Sequence, residues 1–227
     1  ALGHSGFTGI AIGVLCGAAL PIWWAVGLAV AFALLFSFVR SRSSQSADTI
    51  IGVFSSTAVA LGIFIATMGG GSFTKFNKYL IGDILSVTPG EIGALALVLL
   101  AVAALWVLCS NQLILTAIHP QLASSRGVKT ARNETLFTVV IAVVVTLAMS
   151  WVGLMVINSL LVLPAASARN VAKNVRQYHL FSVLGALCAS VAGLILAYYL
   201  GCSAGATIAL LLALFFAVTF ALRRTRA

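Results

Sequence analysis

The chain consists of long apolar stretches separated by short polar connections. Most of these stretches approach the roughly 20 residues that an α-helix needs to cross a lipid bilayer. Their apolar residues are continuous, whereas the strands of a membrane barrel alternate apolar and polar positions over about ten residues. The pattern therefore predicts an all-α, multi-pass membrane protein. The predicted helical stretches are Phe7–Leu20, Ile22–Val39, Thr49–Met68, Ile92–Cys109, Leu136–Leu163, Leu180–Leu200 and Ala204–Leu222.

Basic residues gather in clusters between these stretches, and such clusters indicate which side of the membrane a connection occupies. Connections on the cytoplasmic side of membrane proteins carry an excess of Lys and Arg. We therefore place all of the clusters on the cytoplasmic side, which requires an even number of membrane crossings between neighbouring clusters. The clusters are Arg40/Arg42, Arg126/Lys129/Arg132, Arg169/Lys173/Arg176 and Arg223/Arg224/Arg226.

The stretch Leu136–Leu163 has to make two crossings under this rule, although it is too short for two full spans at about 1.5 Å per residue. It carries Trp151-Val152-Gly153 near its middle. The sequence therefore predicts a broken or re-entrant helix that rises from Leu136 and returns through Val156–Leu163. Interrupted backbone at membrane depth is tolerated only beside protein or a water-filled cavity, so we expect the break to lie near a transport path.

Two connections are long enough to hold structure of their own. The outer one, Gly69–Glu91, has an apolar middle, Phe76–Leu85, that predicts a short helix in the interface or dipping into the membrane. The inner one, Asn111–Glu134, is the longest polar connection. A short helix is predicted there around Leu122–Arg126, with Gly127 ending it.

The composition indicates which solvent surrounds the chain. Hydrophobic residues make up 62% of it and charged residues 7%, against about 45–50% and 25% in soluble domains. A water-soluble fold is therefore excluded, and membrane lipid is the expected surrounding. The net charge of +9 does not indicate nucleic acid, because the basic residues form no aromatic-interleaved patch. We expect one transmembrane domain over residues 1–227 and an upstream segment that this sequence lacks, since it opens on Ala1 without an initiator Met.

Enzyme signatures are missing from the sequence: it contains no Walker phosphate loop, HExxH or GxSxG motif. No catalytic residue and no permanently bound cofactor are expected, and any ATP has to be bound by another chain. The four acidic residues lie near the ends of predicted spans, which argues against proton or sodium coupling through intramembrane carboxylates. The four cysteines are scattered singly, and we interpret them as small buried hydrophobic residues.

His4 is the titratable residue of greatest interest, because it lies at the entry to the first predicted span. A neutral imidazole is a common ligand for zinc, manganese or iron. One histidine cannot hold an ion alone, so a metal site would need partners from upstream residues, from another helix or from a second copy of the chain. The alternative interpretation is a hydrogen-bonded histidine at a helix start.

A second segment of interest joins the predicted broken helix to a basic cluster on the cytoplasmic side. Its small residues allow another backbone to approach closely. The segment is either an ordinary membrane-exit helix with basic anchors or a short docking helix that seats in a groove of a cytoplasmic partner. It comprises Pro164, Ala165, Ala166, Ser167, Ala168, Arg169 and Asn170.

Several short segments in order along the chain carry a family resemblance. Together they resemble the membrane permeases of the ABC-type zinc/manganese/iron uptake family, and the Leu-Pro-Ala-Ala-Ser-Ala-Arg stretch is the most specific of them. The matching segments are Ala1-Leu2-Gly3-His4-Ser5-Gly6, Ala47-Asp48-Thr49-Ile50-Ile51-Gly52-Val53-Phe54, Ile81-Gly82-Asp83-Ile84-Leu85-Ser86-Val87, Val152-Gly153 through Leu160-Leu161-Val162-Leu163-Pro164-Ala165-Ala166-Ser167-Ala168-Arg169, and Gly201-Cys202-Ser203-Ala204-Gly205-Ala206-Thr207.

The resemblance implies a fold like that of type II ABC importers and a homodimeric pore in the bacterial inner membrane. It implies a cytoplasmic ABC ATPase dimer and an extracytoplasmic metal-binding protein as partners, and a divalent metal ion (zinc, manganese or iron) as cargo. His4 would be a transient metal ligand. The family pattern places an Asp four residues earlier, upstream of Ala1, where both side chains share one helix face. Pro164–Asn170 would form the segment that the ATPase contacts, and the first span of the family would be missing from this sequence.

One departure from the family pattern occurs in the inner connection. Such permeases tend to carry an acidic residue before a Pro-x-x-Ala motif, whereas this chain has His119-Pro120-Gln121-Leu122-Ala123. Other functions stay open at this point: an ABC permease for a metal chelate or cobalamin, an ATP-independent channel or secondary carrier, or a membrane scaffold without transport activity. The sequence does not choose among zinc, manganese and iron, because geometry and metal availability decide that choice more than ligand type does.

Overall fold

The computed structural model describes residues 2–68, 76–82 and 87–224, and all regular secondary structure in these ranges is helical. Seven of the helices in these ranges are long and apolar enough to cross a membrane. The prediction of a multi-pass helical membrane protein is therefore confirmed. In chain order the helices are α1 Leu2–Leu15, α2 Pro21–Arg42, α3 Ala47–Met68, α4 Asn77–Ile81, α5 Pro89–Ile118, α6 Pro120–Ser125, α7 Thr130–Val152, α8 Leu154–Val171, α9 Val175–Leu200 and α10 Ala204–Arg224.

Helix α1 differs from the predicted stretch Phe7–Leu20 because it ends at Leu15. Gly17 takes the left-handed conformation, with φ of 65°. The amide of Ala18 then donates to the Gly13 carbonyl over 2.9 Å, which is the helix ending that a glycine after the last turn favours.

Helix α5 continues to Ile118 and so enters the connection Asn111–Glu134 that was predicted to be polar. The side chain of Asn133, on α7, donates to the Gln112 side chain over 3.4 Å. Thr116 donates to the Gln112 backbone carbonyl over 2.7 Å. Gln112 does not end the helix, because glutamine has a high helix propensity.

The two predicted short helices have observed counterparts. Helix α6 occupies Pro120–Ser125, and Gly127 follows it with φ of 76°, as the sequence predicted. Helix α4 occupies Asn77–Ile81, inside the predicted Phe76–Leu85. The end of that predicted helix, residues 83–85, lies outside the described residues. The cysteines do not follow the prediction, since Cys16, Cys188 and Cys202 are exposed and Cys109 is partly exposed.

The chain divides into two compact units, the first comprising Ala1–Phe76 and Ser86–Ala148. Within it, α1 packs closely against both α2 and α3, and nine of its residues are buried. Helices α1 and α2 are antiparallel, and their backbones touch at Gly9: a Cβ there would lie 2.5 Å from the Cα of Ala25. Small residues permit this approach between membrane helices. Helix α1 is therefore an interior helix of its unit, surrounded by protein more than by lipid.

The second unit comprises Asn77–Leu85 and Met149–Ala227. Its helices α8, α9 and α10 pack against one another around a core of Val156, Ala189, Ile208 and Leu212. Many large apolar side chains on these helices point outward; Leu210, for example, is 71% exposed. An apolar exterior around a small core is the arrangement expected of helices whose solvent is lipid.

A sharp break separates α7 from α8, as the sequence predicted. Gly153 stands between the two helices with φ of 88°, a conformation that residues with a side chain rarely adopt. Both helices extend beyond the predicted limits Leu136–Leu163, because residues 130–135 and 164–171 are also helical. Each is long and apolar enough to cross a membrane. The predicted shortage of residues for two passes is therefore wrong, while the break itself is confirmed.

The break is held by a second glycine. Gly82, directly after α4, has φ of 80°, and a Cβ on it would overlap the carbonyl of Val152. A Cβ on Gly153 would in turn lie 2.5 Å from the Gly82 nitrogen. The two backbones thus touch with no side chain between them. We call this contact the glycine joint.

Candidate ion path and coupling segment

The position of His4 follows from the packing of α1. Leu2 packs against a cluster that contains Ala29 and Ala33, near the middle of α2. Helix α2 is long and apolar enough to cross a membrane. His4, two residues after Leu2, lies beside the middle of α2 and not beside one of its ends. Ionisable side chains within membrane-spanning bundles are costly and mark functional sites by default.

The side of α1 that carries His4 faces α3. The Thr8 hydroxyl, one turn after His4, lies 2.7 Å from the Ala58 carbonyl of α3 and 3.0 Å from the His4 carbonyl. Gly62 of α3 makes room for this contact, since a Cβ there would lie 2.8 Å from the Phe7 ring. His4 itself is half-buried. The backbone that carries the imidazole is therefore fixed by a buried bond to the neighbouring helix.

The described residues bring together no group of three His, Cys, Asp or Glu side chains that could hold a metal ion. Of the four acidic residues in the chain, Asp83 lies outside the described residues. Glu91 caps α5: its carboxylate accepts from the Thr88 amide over 2.7 Å, and its own amide donates to the Thr88 hydroxyl over 3.4 Å. The proposed partner of His4 lies upstream of the first residue of this chain, so the two-residue metal site stays a prediction.

The predicted coupling segment forms the last turns of α8, which runs without interruption from Leu154 to Val171. Pro164 has no amide hydrogen to donate within the helix. Ser167 is fully buried, and its hydroxyl donates to the Leu163 carbonyl over 2.7 Å. Asn170 donates to the Thr219 hydroxyl of α10 over 3.4 Å. The segment is therefore anchored to its own unit and is not a separate short helix.

Arg169 is the exposed residue of this segment, whereas Ser167 and Ala168 are buried. The chain then turns at Ala172, and Asn174 caps α9 by accepting from the Gln177 amide over 2.8 Å. Because α8 and α9 pack against each other beyond this turn, a force applied at Arg169 acts on the ends of two long helices.

A residue that the sequence interpretation missed is Thr146, six residues before the end of α7. It is fully buried, and its hydroxyl has no hydrogen-bond partner among the described residues. The sequence does contain a signal, because Thr146 is a lone polar residue between Val145 and Leu147 in an apolar run. Polar residues within membrane helices are candidates for function.

A known protein family matches nearly the whole length of the chain. The ABC 3 transport family matches residues 1–223. The chain belongs to the ABC 3 transport family. The resemblance drawn from the short segments is therefore confirmed, and so is the assignment to the permeases of ABC transporters.

Individual members of the ABC 3 transport family match over nearly the whole chain. A manganese import system permease protein, ScaB, of Streptococcus gordonii is 31% identical over 224 residues, which are 97% of this chain and 78% of that protein. A high-affinity zinc uptake system membrane protein, ZnuB, of Haemophilus influenzae is 24% identical over 218 residues, which are 96% of this chain and 83% of that protein.

A solved structure is similar as well. PsaBC from Streptococcus pneumoniae, in complex with Fab, contains a chain that superposes with a TM-score of 0.81 at 28% sequence identity. The match covers 96% of this chain and 78% of that chain. The predicted fold class, a transmembrane helical bundle of the type II ABC importer kind with a broken helix, is thereby confirmed.

Proposed function

We propose that this chain is the permease subunit of an ATP-driven importer that moves a divalent transition-metal ion across the inner membrane of a bacterium. The observation that carries the proposal is membership of the ABC 3 transport family over residues 1–223. The relatives named for manganese import and zinc uptake support such an ion as the cargo. His4, on an interior helix beside the middle of α2, supplies an imidazole that suits such ions.

In this proposal the permease binds no nucleotide, and a separate ABC ATPase supplies the energy. Two copies of the chain enclose the path, and an extracytoplasmic metal-binding protein delivers the ion. Transport follows alternating access, in which nucleotide binding shifts the populations of inward-open and outward-open states. The metal ion is the cargo, and His4 with an upstream Asp would be its transient ligands.

Uptake measurements test this function. The full-length permease, its ATPase and its delivery protein are expressed in a bacterial strain without high-affinity manganese and zinc importers, and radiolabelled Mn²⁺ and Zn²⁺ are supplied at limiting concentration. We expect accumulation that requires the ATPase. Accumulation that persists when the ATPase is inactive would instead indicate a channel or secondary carrier, and accumulation of a chelate alone would indicate a chelate permease.

The role of Arg169 in coupling is tested by charge reversal. We expect Arg169→Glu to lower uptake by about tenfold, the factor that corresponds to about 1.4 kcal/mol of docking free energy, because the exposed guanidinium lies where the ATPase would dock. The measurement is uptake together with co-purification of the ATPase. Lys173→Glu is the matched control, since Lys173 is also exposed and basic but lies beyond the end of α8. Equal effects of the two changes would refute a specific contact.

A further inference from the structure

Thr146 presents an unpaired hydroxyl to α1. A Cβ added to Gly6 would lie 2.8 Å from Thr146 Oγ1, its nearest neighbour. The hydroxyl is therefore aimed at the bare backbone of α1, while the side chain is fully buried. No atom of the described residues donates to it or accepts from it. A buried hydroxyl without a partner destabilises the contact in which it is buried.

The other two neighbours of α1 hold it differently. Toward α2, the backbones meet at Gly9 and Ala25 with no polar side chain between them. Toward α3, the Thr8 hydroxyl is paired with the Ala58 carbonyl. Toward α7, the polar group that contacts Gly6 is the Thr146 hydroxyl, which has no hydrogen-bond partner among the described residues. Separation of α1 from α7 would relieve an unsatisfied group, whereas separation from α3 would break the bond between Thr8 and Ala58.

We propose that the contact between α1 and α7 opens during transport, and that Thr146 then lines the ion path as a neutral oxygen ligand for the hydrated divalent ion. The inference rests on the proposed function, and it names a further path residue beyond His4. A hydroxyl oxygen can replace one water of a hydrated cation without adding a charge to the membrane interior. Once the contact opens, water and the ion satisfy the hydroxyl that the closed contact leaves unpaired.

Thr146 would contact the ion at a different position from His4. The two side chains would therefore not form one shared site in this structure. Gly6 follows His4 by two residues, and successive residues turn by about 100° around a helix, so the two positions point to different sides of α1. Both lie within the same turn of that helix, however. Opening along α7 therefore admits water and the ion to the turn that carries His4.

Thiol labelling tests whether the contact opens. Thr146→Cys and, as control, Ala58→Cys are placed in full-length protein whose native cysteines have been replaced, and the importer is assembled with its ATPase in lipid vesicles. Both positions are almost fully buried beside α1, but Ala58 lies at the contact with α3. We expect a small water-soluble thiol reagent to label Thr146→Cys during ATP turnover and to leave Ala58→Cys unlabelled.

Conservative replacements test the oxygen itself. We expect Thr146→Val to lower Mn²⁺ or Zn²⁺ uptake by about tenfold, which corresponds to about 1.4 kcal/mol, and Thr146→Ser to retain uptake near the wild-type rate. A packing role predicts the reverse, because valine keeps the shape of threonine and removes the unpaired hydroxyl. Unchanged uptake and a raised melting temperature in Thr146→Val, without labelling of Thr146→Cys, would overturn the proposal.

The two experiments separate this inference from the proposed function. If wild-type protein takes up metal and the Thr146 variants behave as packing changes, the inference alone fails. If wild-type protein takes up neither Mn²⁺ nor Zn²⁺, the proposed function fails. In that case labelling still shows whether α1 and α7 separate under ATP.

Discussion

Uptake of Mn²⁺ or Zn²⁺ at limiting concentration is expected to fall by about 10- to 100-fold when His4 is replaced by alanine. Even the loss of a group that only supports a metal ligand costs metal sites about this factor, so loss of a ligand should cost at least as much. The change removes the imidazole from α1 but leaves the Thr8–Ala58 bond that fixes the helix. The measurement is initial uptake rate against metal concentration.

His119→Ala is the matched control for this prediction. His119 is an exposed histidine at the junction of α5 and α6, so its loss removes the same side chain without touching α1. We expect wild-type uptake from this variant, and normal co-purification of the ATPase with both variants. If His4→Ala takes up metal at the wild-type rate, His4 is not on the ion path.

The second large effect is expected at the glycine joint. Gly153→Ala should lower the thermal unfolding midpoint of the purified permease by about 5–20 °C, from a destabilisation of about 2–6 kcal/mol. Two costs combine: a side chain at φ of 88° and ψ of 150°, a region that is essentially restricted to glycine, costs about 1–3 kcal/mol, and overpacking against the backbone of Ile81 and Gly82 adds about 1–3 kcal/mol. The measurement is a melting curve in detergent.

Gly127→Ala is the control for overpacking. Gly127 also has a positive φ, of 76°, but a Cβ on it would meet no atom within 4 Å. We therefore expect this variant to show a conformational cost without overpacking, a shift of only a few degrees. Melting of Gly153→Ala at the same temperature as Gly127→Ala would mean that the joint yields easily and does not hold the break.

The order of the membrane helices could be predicted largely from the sequence, because lipid requires each span to be apolar over its whole length. The break at Gly153 was also predictable, since the basic clusters fixed the number of crossings. The C-terminal end of α5 was not predicted correctly. Gln112 marks the start of a polar connection in the sequence, but glutamine has a high helix propensity, so the helix continues beyond the apolar stretch.

The candidate site was predictable only in part. A lone imidazole in an apolar region marked His4 as a candidate, but its position depends on the packing of Leu2 against α2, which is a tertiary contact. Helix α1 was predicted as one more membrane span, and its interior position was not predicted, because apolar content does not distinguish lipid from protein as the neighbour. For the same reason Thr146 was not singled out: hydrogen bonding of a threonine within its own helix is common, and the sequence does not show that this hydroxyl turns away.

The glycine joint limits how α8 can move. Side chains absorb small displacements by changing rotamer, but Gly82 and Gly153 meet through backbone atoms alone and have no such freedom. A tilt of α8 therefore has to drag Ile81 and Gly82 along or pull them apart completely. We expect the joint to act as a rigid pivot, so that a displacement at the cytoplasmic end of α8 also displaces α4.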